Sequence, residues 1–130
     1  MTIQQRPYKI LVVDDNNLIL ELAEHMLSAK GYGVLKSANG DDVINLYNDK
    51  DPDVVLTDIN MPGMSGYTLA DKILEECPNQ RIIMMTGDTS QKPKLEREGY
   101  PYLFKPFNVD KVYTLLDDLL SENTNGYDKI

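Results

Sequence analysis

Cysteine, histidine and cationic side chains are scarce in this chain, and each shortage closes off a class of function. A single cysteine, Cys77, in 130 residues excludes a disulfide-stapled scaffold. Next to Pro78 at a helix end, that thiol reads as inert rather than nucleophilic. A single histidine, His25, has no second imidazole with which to build a zinc site or a histidine relay. Lysine and arginine total 13 against 21 acids, for a formal net charge of -8. Such a field repels a phosphate backbone, so no direct nucleic-acid binding is expected. No run approaches the ~20 apolar residues of a membrane span, and the first eight residues contain no stretch of signal-peptide length. The expectation is a cytoplasmic protein without membrane contact. Internal repeats, low-complexity tracts and linkers are also absent.

What is present suits one domain: 42% hydrophobic residues, enough at this length to form a core without staples. Lys9 to Val13 is a β-branched run that stops at Asp14-Asp15-Asn16-Asn17, a cluster that ends strands and caps helices. From Leu18 onward, Ile19, Leu22, Ala23, Met26 and Leu27 fall at helical spacing, and Lys30-Gly31 supplies a stop. Val34-Leu35 is a weak second strand. Asn39-Gly40 opens a helix carrying Val43, Ile44, Leu46 and Tyr47, which Pro52 ends. Asp53 to Asp58 repeats the first pattern, and Gly66 to Glu76 is helical. Arg81 to Thr86 and Tyr100 to Phe104 are the fourth and fifth strands. Asn108 can cap a last helix with the stripe Val109, Val112, Tyr113, Leu116, Leu119 and Leu120. Residues 8–121 form the predicted domain and residues 122–130 a polar tail.

Strands and helices alternate five times, and the first, third and fourth strands are apolar on both faces, as parallel strands covered on both sides require. The predicted fold is α/β, a doubly wound (βα)5 sandwich with helices on both faces of a five-stranded parallel sheet. In such sheets chemistry sits beyond the carboxyl ends of the strands.

At those ends stand Asp14 and Asp15, Asp58, Thr86 and Lys105. Singly, an aspartate after a strand is ordinarily a cap or turn residue. Together, three carboxylates at one edge repel, by about 4 kcal/mol for a pair roughly 4 Å apart at an effective dielectric near 20. A hard divalent cation offsets that, and Mg²⁺ favours one or two carboxylates, waters and a phosphate oxygen. Lys105 adds fixed positive charge. The set suits a magnesium site able to receive a phosphoryl group, with an ionised carboxylate as nucleophile. Asp14 and Asp15, adjacent and ahead of a helix, suit metal ligation. Asp58, followed by the turn Asn60-Met61-Pro62-Gly63, is the better nucleophile.

The stretches Val12-Val13-Asp14-Asp15-Asn16, Leu56 to Pro62 with Gly66, Thr86-Gly87 and Phe104-Lys105-Pro106-Phe107 resemble the signature blocks of bacterial two-component response-regulator receiver domains. The resemblance covers about residues 8–121 and implies the strand order 2-1-3-4-5. It further implies that Asp58 accepts phosphate from a sensor histidine kinase or phosphotransfer protein, with Mg²⁺ (or Mn²⁺) held by Asp14, Asp15, Asp58 and the Asn60 backbone carbonyl. Thr86 and Lys105 would bind phosphoryl oxygens, and Tyr102 would turn inward as Thr86 moves. Output would pass by protein–protein contact to an effector that the sequence does not identify, from a monomer or a weak phosphorylation-dependent dimer. The chain would catalyse only its own phosphorylation and dephosphorylation. Switching a two-state equilibrium from 1:99 to 99:1 takes ~5.5 kcal/mol, about what two or three charge-assisted hydrogen bonds supply.

The chain departs from the family pattern between Thr86 and Gly99, a shorter stretch than usual with Pro93 inside the fourth helix and Leu95 as its only large apolar residue. A short or mobile helix capped by Ser90 is expected there, which leaves the family's usual interface on that side doubtful. Asp88 and Asn60 flank the attack path. Three other readings stay open: a flavodoxin-like cofactor binder, a receiver that binds partners irrespective of phosphorylation, and a piece of a larger regulator or hybrid kinase. The acidic loop after the first strand disfavours the flavin reading, because a flavin phosphate wants amides and glycines there.

Overall fold

The computed structural model describes the backbone of residues 7–128 and the side chains of residues 7–121. The elements run β1 (Lys9–Val13), α1 (Asn17–Ala29), β2 (Gly33–Ser37), α2 (Gly40–Lys50), β3 (Val54–Asp58), α3 (Gly66–Glu76) and β4 (Arg81–Thr86). A 3₁₀ turn (Thr89–Gln91) leads into α4 (Lys92–Glu98), followed by β5 (Tyr102–Phe104) and α5 (Val109–Asp128). The strands form one parallel sheet in the order β2-β1-β3-β4-β5.

The pleat explains why the central strands are apolar throughout. Ile10, Val12, Val54, Leu56, Ile83 and Met85 face a core closed by α1 and α5, whereas Leu11, Val13, Val55, Ile82 and Met84 face a core closed by α2, α3 and α4. All of these side chains are buried. At about 1.5–3 kcal/mol for each large apolar side chain, this two-sided burial is the main force that fixes strand order and register.

The helix starts are capped as their sequences suggest. Asn16, Asn39 and Ser65 accept bonds from Leu18, Asp42 and Thr68 amides, and Asn108 accepts one from Lys111. Gly31 closes α1 at φ +94° and Gly99 closes α4 at φ +81°, in the left-handed region that an L side chain rarely adopts.

Five details differ from what the sequence suggests. The buried stripe of α1 keeps the expected Ala23, Met26 and Leu27 but takes Leu20 in place of Leu22, which is exposed, so the helix is turned slightly relative to the expected stripe. Val109 is likewise exposed at the start of α5. Strand β5 begins at Tyr102 instead of Tyr100, because Tyr100 donates its amide to Leu95 to close α4. Helix α4 has no side-chain cap: Asp88, not Ser90, caps the preceding turn, accepting from the Ser90 amide and hydroxyl. The polar tail expected from residue 122 continues α5 as far as Asp128, with residues 129–130 outside the described residues. An established helix adds residues at little cost when no proline interrupts it.

Candidate functional site

Four strand ends converge at one rim. Asp14 follows β1, its amide bonded to the Ser37 carbonyl at 3.1 Å, and its carboxylate accepts the Asn16 amide at 2.9 Å. That inward turn buries Asp14 almost completely, leaving Asp15 exposed. Asp58 ends β3 and is only 5% exposed. Carboxylate oxygens of Asp14, Asp15 and Asp58 all lie within 4.8 Å of one another. Lys105, just past β5, reaches across with its Nζ 2.6 Å from Asp14 Oδ2 and 3.2 Å from Asp58 Oδ1.

The electrostatics follow from this crowding. Burial, and then the neighbouring Asp14 charge, push the Asp58 carboxyl above the usual aspartate range, while Lys105 pulls it partly back. For Lys105, burial favours loss of the proton. The bonds and charges of Asp14 and Asp58 outweigh it, and the ammonium holds its proton above the ordinary lysine value. One cation thus serves two buried anions, with the third carboxylate beside them, and negative charge is left in excess. Three hard oxygen donors with that excess are a donor set for a small divalent cation such as Mg²⁺.

Gly66 shapes the floor. A Cβ there would stand 2.4 Å from the Asp58 carbonyl oxygen and 3.0 Å from Ile59 Cα, so only glycine lets α3 press against the backbone carrying Asp58. Thr86 ends β4, buried, with its hydroxyl oxygen accepting the Asp88 amide at 3.0 Å. Its carbonyl accepts the Lys105 amide at 2.8 Å, tying the two strand ends together. Asn60 is exposed, two residues past Asp58. Tyr102 stands apart from this group: its hydroxyl donates to Glu96 on α4 at 2.9 Å, and its ring meets Phe104 edge-on at 5.5 Å. His25 is exposed on α1.

Residues 10–117 match the family model described as the response regulator receiver domain. The chain belongs to that family. Receiver domains are signalling domains of two-component systems; they interact with histidine kinases or phosphotransfer proteins and bind Mg²⁺ at an acidic aspartate cluster. This receiver is 32% identical over 113 residues to the DNA-binding transcriptional regulator NtrC of Klebsiella pneumoniae, which covers 85% of this chain but 24% of the relative. It therefore spans about a quarter of the length of that relative. The chemotaxis protein CheY4 of Vibrio cholerae superposes with a TM-score of 0.79 at 29% identity, covering 86% of this chain and 98% of that one. NtrX from Brucella abortus gives a TM-score of 0.85 at 27% identity, covering 94% of this chain and 28% of the other. Family membership sets the flavodoxin-like reading aside. Among the described residues no helix is long and apolar enough to cross a membrane.

Three contacts of the residues singled out from the sequence were not part of that reading. Ser37, whose carbonyl fixes Asp14, gives no local signal because it belongs to the neighbouring strand. Glu96, on a helix rich in charge, carries no local sign of its partner. The Asp88 turn was legible, since an aspartate two residues before a serine is a common side-chain-to-backbone turn.

Proposed function

We propose that this receiver is a phosphorylation switch whose acceptor is Asp58, that its phosphoryl donor is the phosphohistidine of a sensor kinase or phosphotransfer protein, and that it acts in the cytoplasm through protein–protein contact. The observation that carries this reading is the Asp58 carboxylate, set in a pocket with Asp14 and Asp15 and paired to Lys105. Asp14 and Asp15, with Asp58 and the Asn60 carbonyl, would hold Mg²⁺ (or Mn²⁺). When bound, that ion neutralises the carboxylates and the charge on the incoming phosphoryl oxygens.

The chain's own residues do the rest. An oxygen of ionised Asp58 forms the bond to phosphorus as the phosphorus–nitrogen bond of the donor breaks, and the imidazole nitrogen keeps the electron pair and takes up a proton. Lys105 is already at the rim and stabilises the added oxygens without first being desolvated. The Thr86 hydroxyl oxygen accepts the Asp88 amide and keeps its own proton to donate to a phosphoryl oxygen, so turning it toward Asp58 couples the new charge to the loop leading into α4.

The test is incorporation of phosphate from acetyl phosphate with Mg²⁺. Wild type is expected to acquire one acid-stable, base-labile acyl phosphate, and Asp58→Asn none. Unchanged incorporation in Asp58→Asn removes Asp58 from its role.

A further inference from the structure

Tyr102 and Thr86 lie on the same face of the sheet. In the β4–β5 register Met84 opposes Tyr102 and Thr86 opposes Phe104, and paired parallel residues point to the same side. That side is the core to which α4 contributes Leu95, and Tyr102 packs against it as a half-buried ring, opposite Met84 in the register. Thr86 is only 1% exposed, so any swing of its side chain toward Asp58 empties space inside a close-packed layer. Tyr102 is a large side chain on the same face that is not already sunk in the core, and its hydroxyl is bonded to Glu96 at the exposed side.

We propose that Glu96 is a latch: its carboxylate holds Tyr102 outward in the resting receiver and so sets how readily the Asp58 pocket accepts a phosphoryl group. The proposal rests on the reading of Asp58 as acceptor and Thr86 as mover. Glu96 is a positioning residue, remote from the reacting atoms. Its bond exists only in the outward state, so it weights the equilibrium toward rest, and by linkage whatever disfavours that state must favour ligand at Asp58. The same bond holds the Tyr102 proton above the ordinary tyrosine range, as expected when a phenol donates to a carboxylate. Helix α4 is seven residues long and buries one large side chain, Leu95, so a latch there acts on a lightly held element.

The experiment measures the affinity of the full chain for beryllofluoride, a phosphoryl mimic, in excess Mg²⁺. Glu96→Ala should bind about fivefold more tightly, the worth of a solvent-exposed charge-assisted bond. Glu96→Gln, which keeps an acceptor oxygen, should stay within about twofold of wild type. In a Tyr102→Phe background, Glu96→Ala should change nothing, because the hydroxyl is already gone. Wild-type affinity in Glu96→Ala, or equal tightening with Tyr102→Phe present, overturns the latch while leaving the acceptor reading intact. If wild type does not bind beryllofluoride at all, the acceptor reading itself fails.

Discussion

Helices α4 and α5 flank the same edge strand but are held by different forces. Helix α5 sinks Val112, Leu116 and Leu120 into the core, and Tyr113 adds a 2.7 Å bond from its hydroxyl to the Met26 carbonyl. Helix α4 sinks Leu95 alone and is otherwise fastened by polar contacts: Tyr67 to Gln91 at 3.0 Å, the Lys94 ammonium 4.1 Å above the Tyr67 ring, and Tyr102 to Glu96. Apolar burial costs a great deal to undo, whereas an exposed hydrogen bond exchanges for water at about 1 kcal/mol. An element fastened the second way moves without unfolding the domain. The chain is therefore most lightly held at α4, in the segment that follows the Thr86 end of β4.

The sharpest break of this comparison is a pair of truncations. Leu116→Ala should cost about 3 kcal/mol of global stability in urea unfolding, as expected for a cavity in a tight core. Leu95→Ala should act locally, stripping hydrogen-exchange protection from α4 while α5 keeps its own. If both truncations cost the same global stability and leave α4 as protected as α5, the two helices are not held differently.

A smaller effect separates the acidic rim from both helices. Because the Asp58 carboxyl lies above its usual range, its ionisation works against the fold. This group's favourable contribution is present below its ordinary value near pH 4 and is lost as pH rises through the elevated folded value. Without divalent cations at neutral pH, Asp58→Asn should therefore be more stable than wild type by about 1 kcal/mol, with the gap closing on acidification. Added Mg²⁺ should raise the melting temperature of wild type more than that of the variant. A destabilised variant in metal-free buffer would show that the pairing with Lys105 outweighs burial and the repulsion by Asp14 together.

The mildest probe is Tyr67→Phe, which removes only the hydroxyl bonded to Gln91. A loss of about 0.5–1 kcal/mol, seen as faster exchange of α4 amides with little change in global unfolding, is expected. A global loss of several kcal/mol would mean that Tyr67 is built into the core instead of tethering α4.

Much of the site was legible because its residues mark the ends of strands. Asp14, Asp58, Thr86 and Lys105 each close a strongly apolar run, and parallel topology puts such ends at one rim, so linear position carried spatial information. The outward placement of Tyr102 was not legible. Nothing in Tyr102-Leu103-Phe104 says where the ring points, because that depends on a glutamate six residues earlier, on a helix whose own docking is marginal. The α1 stripe was legible at Ala23, Met26 and Leu27 but not at its edge: Leu22 has the right spacing, and the seating of the helix on the sheet buried Leu20 instead.

Local pattern therefore determined the alternation of elements, the apolar character of the central strands on both faces, the caps, and the place of each polar site residue at the end of its strand, since these follow from side-chain period and backbone chemistry within a few residues. Only the tertiary structure decided which carboxylates are buried, which of them Lys105 reaches, and which way Tyr102 turns. Those are contacts between segments as much as 91 positions apart, and their energies depend on separation in space and exclusion of water.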